Sequence, residues 1–142
     1  MTREPIYAAI FAKISSLTGI KTASRFLKHW SDVPVADQPA VFQSQTGEEP
    51  KQQRGLPAVW TLNVNIYVYV NTGGDTTRTP STVLNGIIDQ IEAAFPPEPT
   101  EGVQTLGDLV SHAWISGKIE TDEGTLGDQA VAIIPISVLT AN

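Results

Sequence analysis

The chain predicts an α+β fold: a mainly antiparallel sheet of about five strands with two helices packed on one face, in the order α-β-β-β-α-β-β. Residues 59–71 alternate strictly between apolar and polar, the mark of a strand with one dry face. Two further segments carry apolar residues at helical spacing, one near the start and one in the middle of the chain. Polar, glycine- and proline-rich stretches separate these elements.

In the first helix Tyr7, Ile10, Phe11, Ile14 and Leu17 form the apolar stripe, with Lys13 and Ser16 off it. Pro5 suits the first turn, where a missing N–H costs nothing, and Gly19 is a natural stop. The second helix is expected from Pro80 to Phe95. Thr79 is placed to cap it, and Leu84, Ile87, Ile88, Ile91 and Phe95 form its buried stripe. Pro96-Pro97 ends it, because neither residue can continue the hydrogen-bond ladder. Gly86, inside this helix, reads equally as a site of close packing or as a neutral surface position.

The clearest strand runs from Val59 to Asn71. Trp60, Leu62, Val64, Ile66, Val68 and Val70 make an apolar face expected to lie against the helices. Thr61, Asn63, Asn65, Tyr67, Tyr69 and Asn71 make the opposite face. At about 3.3 Å per residue such a strand is about twice the usual length, so it should bend, or project as one arm of a hairpin. Further strands are expected at Thr22–Lys28, Ala40–Ser44, Val110–Ile119 and Ala130–Leu139. Pro135 interrupts the last of these, which predicts an edge strand or a bulge there. Residues 45–57, 72–79 and 96–105 read as long mobile loops.

The length of 142 residues fits one domain, spanning 1–142, and no internal repeat is visible. The chain has no cysteine, which excludes disulfide frameworks, thiolate metal sites and cysteine nucleophiles. No apolar run approaches a membrane span, and the N-terminus lacks a signal-peptide core, so the chain is expected to stay in the cytoplasm that makes it. The net charge of −6 argues against nucleic acid as the main partner. Its distribution is uneven: residues 1–29 hold Arg3, Lys13, Lys21, Arg25 and Lys28 against Glu4, while acids dominate the remainder. Such asymmetry either orients one copy against another or is simply an unevenly charged, solvated surface.

No catalytic template fits. There is no nucleophile elbow and no phosphate loop, since Gly73-Gly74 lacks a following Gly-Lys-Ser/Thr. The two histidines, His29 and His112, fall in different predicted strands without a second ligand at metal spacing, and both read as structural or surface residues. Glu120, Asp122, Glu123 and Asp128 lack calcium-loop spacing, so Asp122-Glu123-Gly124 reads as a turn between strands. No catalytic residue, cofactor or metal ligand is therefore expected.

Two segments have the composition of contact surfaces. Asparagine is uncommon in strands, yet Asn63, Asn65 and Asn71 share a face with Tyr67 and Tyr69; this is either a solvated face or a subunit contact. Arg25, Lys28 and Trp30 are favoured anchor types in one short segment, although Phe26 and Trp30 also suit a core. Arg54 lies in the first long loop. The candidate interface set is thus Arg25, Lys28, Trp30, Arg54, Asn63, Asn65, Tyr67 and Tyr69.

The opening helix, KTASRFLKHWSDVP (Lys21–Pro34), QPAVF (Gln38–Phe42), PAVWTLNVNIYVYV (Pro57–Val70) and ETDEGTLGDQAVAIIPI (Glu120–Ile136) together resemble tail-assembly proteins of long-tailed phages. The pattern is similar to the tail terminator family, also called tail completion or minor tail protein U-like. The resemblance implies a structural virion protein without enzymatic activity. It implies a homo-oligomeric ring, a hexamer, capping the tail tube at the head-proximal end of the virion. Its partners would be the major tail tube protein and the head–tail connector protein. A head–tail connector or neck subunit of related fold is the alternative within that class; a small ligand-binding module is the alternative outside it. A further expectation is that residues 45–57 order only on assembly, keeping the free subunit from early polymerisation. Hydrogen exchange checks this: equal protection of 45–57 in the free and assembled protein would refute it.

Overall fold

A computed structural model describes residues 1–141. Its elements are α1 (Arg3–Ser15), β1 (Thr22–Ser24), β2 (Ala40–Lys51), β3 (Val59–Asn71), α2 (Pro80–Ala94), β4 (His112–Ile115), β5 (Glu120–Gly124) and β6 (Gly127–Ala141), with two short 3₁₀ turns at Trp30–Asp32 and Val35–Asp37. The fold is α+β as predicted, with six strands, the additional one being β5. The order across the sheet is β1-β2-β3-β6-β4, and β5 pairs with β6 as well. β1 runs parallel to β2, and the other pairings are antiparallel.

The strand at 59–71 has the predicted bounds, and both of its sides are paired along its length. β2 accompanies it as far as Lys51↔Val59, and β6 from Asn71↔Gln129 to Val59↔Ala141. It does not project unpaired; it is one arm of a long hairpin whose other arm is β2. Residues 45–51 are consequently strand and not loop. Their composition is polar because β1 covers only Ala40, Val41 and Phe42, leaving the rest of β2 at a solvated edge. A bulge between Gln45 and Gly47, with Gly47 at φ 141°, and Pro50 blunt that edge against strand addition. Residues 45–51 are paired in the ladder of a single subunit, so the expected ordering on assembly has only residues 52–57 left to act on.

The even-numbered residues of β3 lie against the helices. Leu62, Val64, Ile66, Val68 and Val70 sit opposite Val138, Ile136, Ile134, Ala132 and Ala130 of β6, and all ten are buried. α1 adds Ile6, Tyr7, Ile10 and Ile14 to this core, and α2 adds Leu84, Ile87 and Ile91. Phe11, Leu17 and Ile88 are half-buried, while Ile6 joins the buried stripe one turn before Ile10. Thr79 occupies the position before α2 but makes no capping bond with its side chain. The cap comes from β5, where the Glu123 carboxylate accepts the Ser81 N–H and also favours the positive end of the helix. Gly86 has open space around it, which makes it a surface glycine.

Pro135 lies in a strand paired on both sides, not at an edge. Its carbonyl accepts from Ser116 N–H at 3.0 Å, so its nitrogen faces the β4–β5 side and not β3. The missing donor falls in the gap where β4 ends at Ile115 and β5 begins at Glu120. Asp122-Glu123-Gly124 belongs to β5, and the turn comes after it, at Thr125-Leu126. The strand predicted over Val110–Ile119 is reduced to His112–Ile115 because Val110 is instead drawn into the core and Ser116–Ile119 bridges that gap.

Residues 96–105 do form a loop, organised by its own bonds. Glu98 accepts from the Thr105 amide and hydroxyl (3.1 and 2.6 Å), and these donors hold its carboxyl below the ordinary carboxylate range. Gln104 Nε2 donates to Pro96 O at 2.7 Å. In residues 72–79, Gly73 N–H bonds Asn71 Oδ1 and Asp75 caps Thr77.

At the end of the sheet a buried amide cluster ties three segments. Gln129 Oε1 accepts from Gln38 and Asn71, and Gln129 Nε2 lies within bonding reach of Gln38 Oε1, Val70 O and Ala130 O. Replacing Gln129 by alanine strands these partners in a dry site. The expected loss of stability is about 2–4 kcal/mol, read as a fall in the urea midpoint at unchanged m-value.

Candidate subunit interface

Trp30, Asn63, Asn65, Tyr67 and Tyr69, five of the eight sequence-predicted contact residues, belong to the sheet face turned away from the helices. Its middle rows carry Ser44, Asn65 and Pro135, and next to them Phe42, Tyr67, Ile133 and Glu120. One end of this face is covered. After β1 the chain climbs over the sheet, and Trp30 and Val33 pack on Ala40, Phe42, Tyr67, Tyr69 and Val131 as a second, smaller core. Strand propensity fails in residues 25–28 because this crossing segment leaves the sheet plane, which is why β1 stops at Ser24 and not at Lys28.

Tyr69 is buried beneath the cover and is no contact surface. Its hydroxyl donates to Lys28 O at 2.6 Å. Burial, and then the neighbouring Tyr67, push the Tyr69 hydroxyl up to about 12, so it remains a protonated donor. Trp30 is half-buried in the same cover. His29 is not in a strand; it precedes the Trp30–Asp32 turn, and its Nδ1 accepts from Ser31 N–H at 3.2 Å. His112 Nδ1 accepts from Gln104 N–H at 3.2 Å, and its ring stacks on Trp114 at 5.0 Å. Both histidines thus have structural partners.

The remaining candidates separate by what their side chains already hold. Asn63 accepts from Ser137 Oγ at 2.6 Å, and Asn71 is held by Gln129 and Gly73. These cross-strand and turn bonds account for two of the three asparagines. Asn65 stands half-buried in the uncovered middle of the face, and Tyr67 is half-buried where the cover ends. Arg25 pairs with Glu4 of α1, whose carboxyl the guanidinium hydrogen bond holds low. Lys28 is exposed beside it, and Arg54 is exposed in the β2–β3 turn, far along the hairpin from the cover.

Two features depart from the sequence reading: Phe26, which suited a core, is exposed together with Leu27, and a cavity joins distant segments on the open face. Phe26 and Leu27 are 75% and 40% exposed, large apolar groups in water between two basic residues. Across the sheet, Trp30, Ile119, Val131 and Ile133 line a cavity of about 600 Å³ whose rim carries Lys118, Glu120 and Asp122. Nothing in a one-dimensional pattern joins residues 30, 120 and 133; the β5–β6 register brings 120 beside 133, and the crossing segment brings Trp30 over Val131. Among the described residues no three His, Asp or Glu side chains are gathered to hold a metal ion. No helix of the structure is long and apolar enough to cross a membrane.

The architecture defines a class: a six-stranded mixed sheet, two helices on one face, and an opposite face only partly covered. The chain matches no protein-family profile and no curated protein. It is similar in fold to a chain of the virion of a native gene transfer agent particle, with a TM-score of 0.58 and 9% identity over 96% of this chain and 95% of that one. A second solved structure aligns with a TM-score of 0.54 and 14% identity, covering 99% and 96% of the two chains. Likeness at this identity is a likeness of fold, and it runs nearly end to end in both cases.

Replacing Tyr69 by phenylalanine removes the hydroxyl that pins the cover while keeping its packing. About 0.5–1.5 kcal/mol of stability should be lost, with faster amide exchange across residues 25–30 and unchanged protection in β3 and β6.

Proposed function

We propose that this chain is a structural virion subunit that closes as a hexameric ring on the end of a phage tail tube. The ring ends tube polymerisation and offers the surface on which head and tail join. The observation that carries the reading is the end-to-end fold likeness to a chain of a gene transfer agent virion. It agrees with the resemblance of the opening helix and residues 21–34, 38–42, 57–70 and 120–136 to tail terminators. The chemistry agrees too: Tyr69, Asn63 and Asn71 of the partly open sheet face are spent on structural bonds, and what is left open there is amphipathic, suited to contact. A ring of identical copies needs two different, complementary patches on each subunit.

Electron microscopy of the purified protein, alone and added to growing tail tubes, tests the reading. Rings, capped tube ends and arrested tube length are expected. Rings that bind isolated head connectors but leave tubes growing would assign the chain to the neck instead. A protein that stays monomeric and leaves tubes unaltered would overturn both.

A further inference from the structure

We infer that successive copies join head to tail through a knob formed by Phe26 and Leu27 and a socket lined by Trp30, Ile119, Val131 and Ile133. The inference rests on the reading of the chain as a ring subunit and names the contact that closes the ring.

The knob is preorganised. Phe26 N–H bonds Ser24 Oγ at 2.9 Å, Arg25 is held by Glu4, and the Lys28 carbonyl is held by the Tyr69 hydroxyl. Between these ties Phe26 is 75% exposed and Leu27 40% exposed. An apolar anchor fixed before binding loses little entropy on docking, which is how a few residues come to dominate an interface.

The socket matches it in size and chemistry. The cavity of about 600 Å³ combines the apolar side chains of Trp30, Ile119, Val131 and Ile133 with Glu120, Asp122 and Lys118. Glu120 and Asp122 share the open face of β5, opposite Ile133 and Val131. Arg25 and Lys28 flank the knob, and Lys21 precedes it. Basic knob and acidic rim are complementary, a pairing that sets partner and register.

Phe26 is tied to Ser24 at the β1 margin of the sheet, while the socket lies over β6 and β5, with Trp30 of the crossing segment as its near wall. One row crosses the sheet without interruption: Ser24↔Phe42, Phe42↔Tyr67, Tyr67↔Ile133, Ile133↔Glu120. Ser24 lies two residues before Phe26 and accepts its N–H, and Glu120 lines the socket. Four strand spacings of about 4.8 Å separate the two ends of this row, roughly 19 Å. Patches at opposite ends of one row meet when copies are set side by side by rotation, the heterologous arrangement that closes a ring. The occupant of the socket is therefore a second copy of this chain.

Single-cysteine cross-linking tests this cleanly because the chain has no cysteine of its own. Lys28→Cys and Glu120→Cys proteins with different tags are mixed in concentrated solution and oxidised. The mixed disulfide should exceed each like-with-like disulfide, and also a mixture of Asp89→Cys with Lys28→Cys, about tenfold. Adding Phe26→Ala to the Lys28→Cys chain should lower the mixed product by about tenfold or more, the scale of losing an anchor. A mixed product no greater than the Asp89 control, or unaffected by Phe26→Ala, overturns the knob-and-socket contact. If that happens while wild-type protein still arrests tube growth, the ring-subunit reading survives and the knob meets another protein. If the mixed disulfide forms but tubes grow unaltered, self-association stands and the tail-cap reading fails.

Discussion

The antiparallel pairing of β3 with β6 is the constraint from which the rest of the structure follows. Thirteen residues of β3 are matched one for one, from Val59↔Ala141 to Asn71↔Gln129. Because side chains alternate along both strands, this register puts Leu62, Val64, Ile66, Val68 and Val70 beside five apolar residues of β6. A dry face of that size must be covered, and α1 and α2 have no other surface for their own stripes. A slip of one residue would turn Asn63, Asn65 and Tyr67 towards the helices and leave their polar atoms unpaired in the core. β2 is then carried along β3 to the hairpin turn, and the outer side of β6 is left for β4 and β5 to share.

That sharing explains how a proline comes to lie in the most heavily paired part of the sheet. β4 and β5 meet the same side of β6 but not end to end, and Pro135 occupies the gap between them. The arrangement also sets the charge pattern. β5 carries its acids on the far margin, one of which caps α2, while Arg25 and Lys28 follow β1 on the near margin.

Much of the fold was legible in the sequence where one element's pattern was enough. The bounds of β3 and nearly those of α2 follow from periodicity and flanking proline. What escaped depended on partners. Residues 45–51 look like a loop because they are polar, and they form a strand only because β3 is long enough to pair with them. Residues 25–28 look like a strand and are lifted off the sheet by Trp30 and Val33 finding their place over Tyr69 and Val131. Among the candidate contacts, composition could point to Trp30 and Tyr69, but it could not tell a residue spent on an internal cover from one offered to a neighbour. Phe26, which reads as core, is the most exposed of the large apolar side chains.

By itself the sequence determined which segments must hide an apolar face, where helices must stop, and that no thiol, phosphate loop or metal-spaced histidine pair exists. These are local consequences of side-chain period, proline geometry and residue chemistry. Only the tertiary structure decided which strand lies beside which, that Tyr69 is covered while Phe26 is not, and that residues 24 and 120 end one row of the sheet. Strand register and burial are set by pairing between distant segments, and the cost of an unpaired polar group or an exposed apolar face is assessed only when those segments meet.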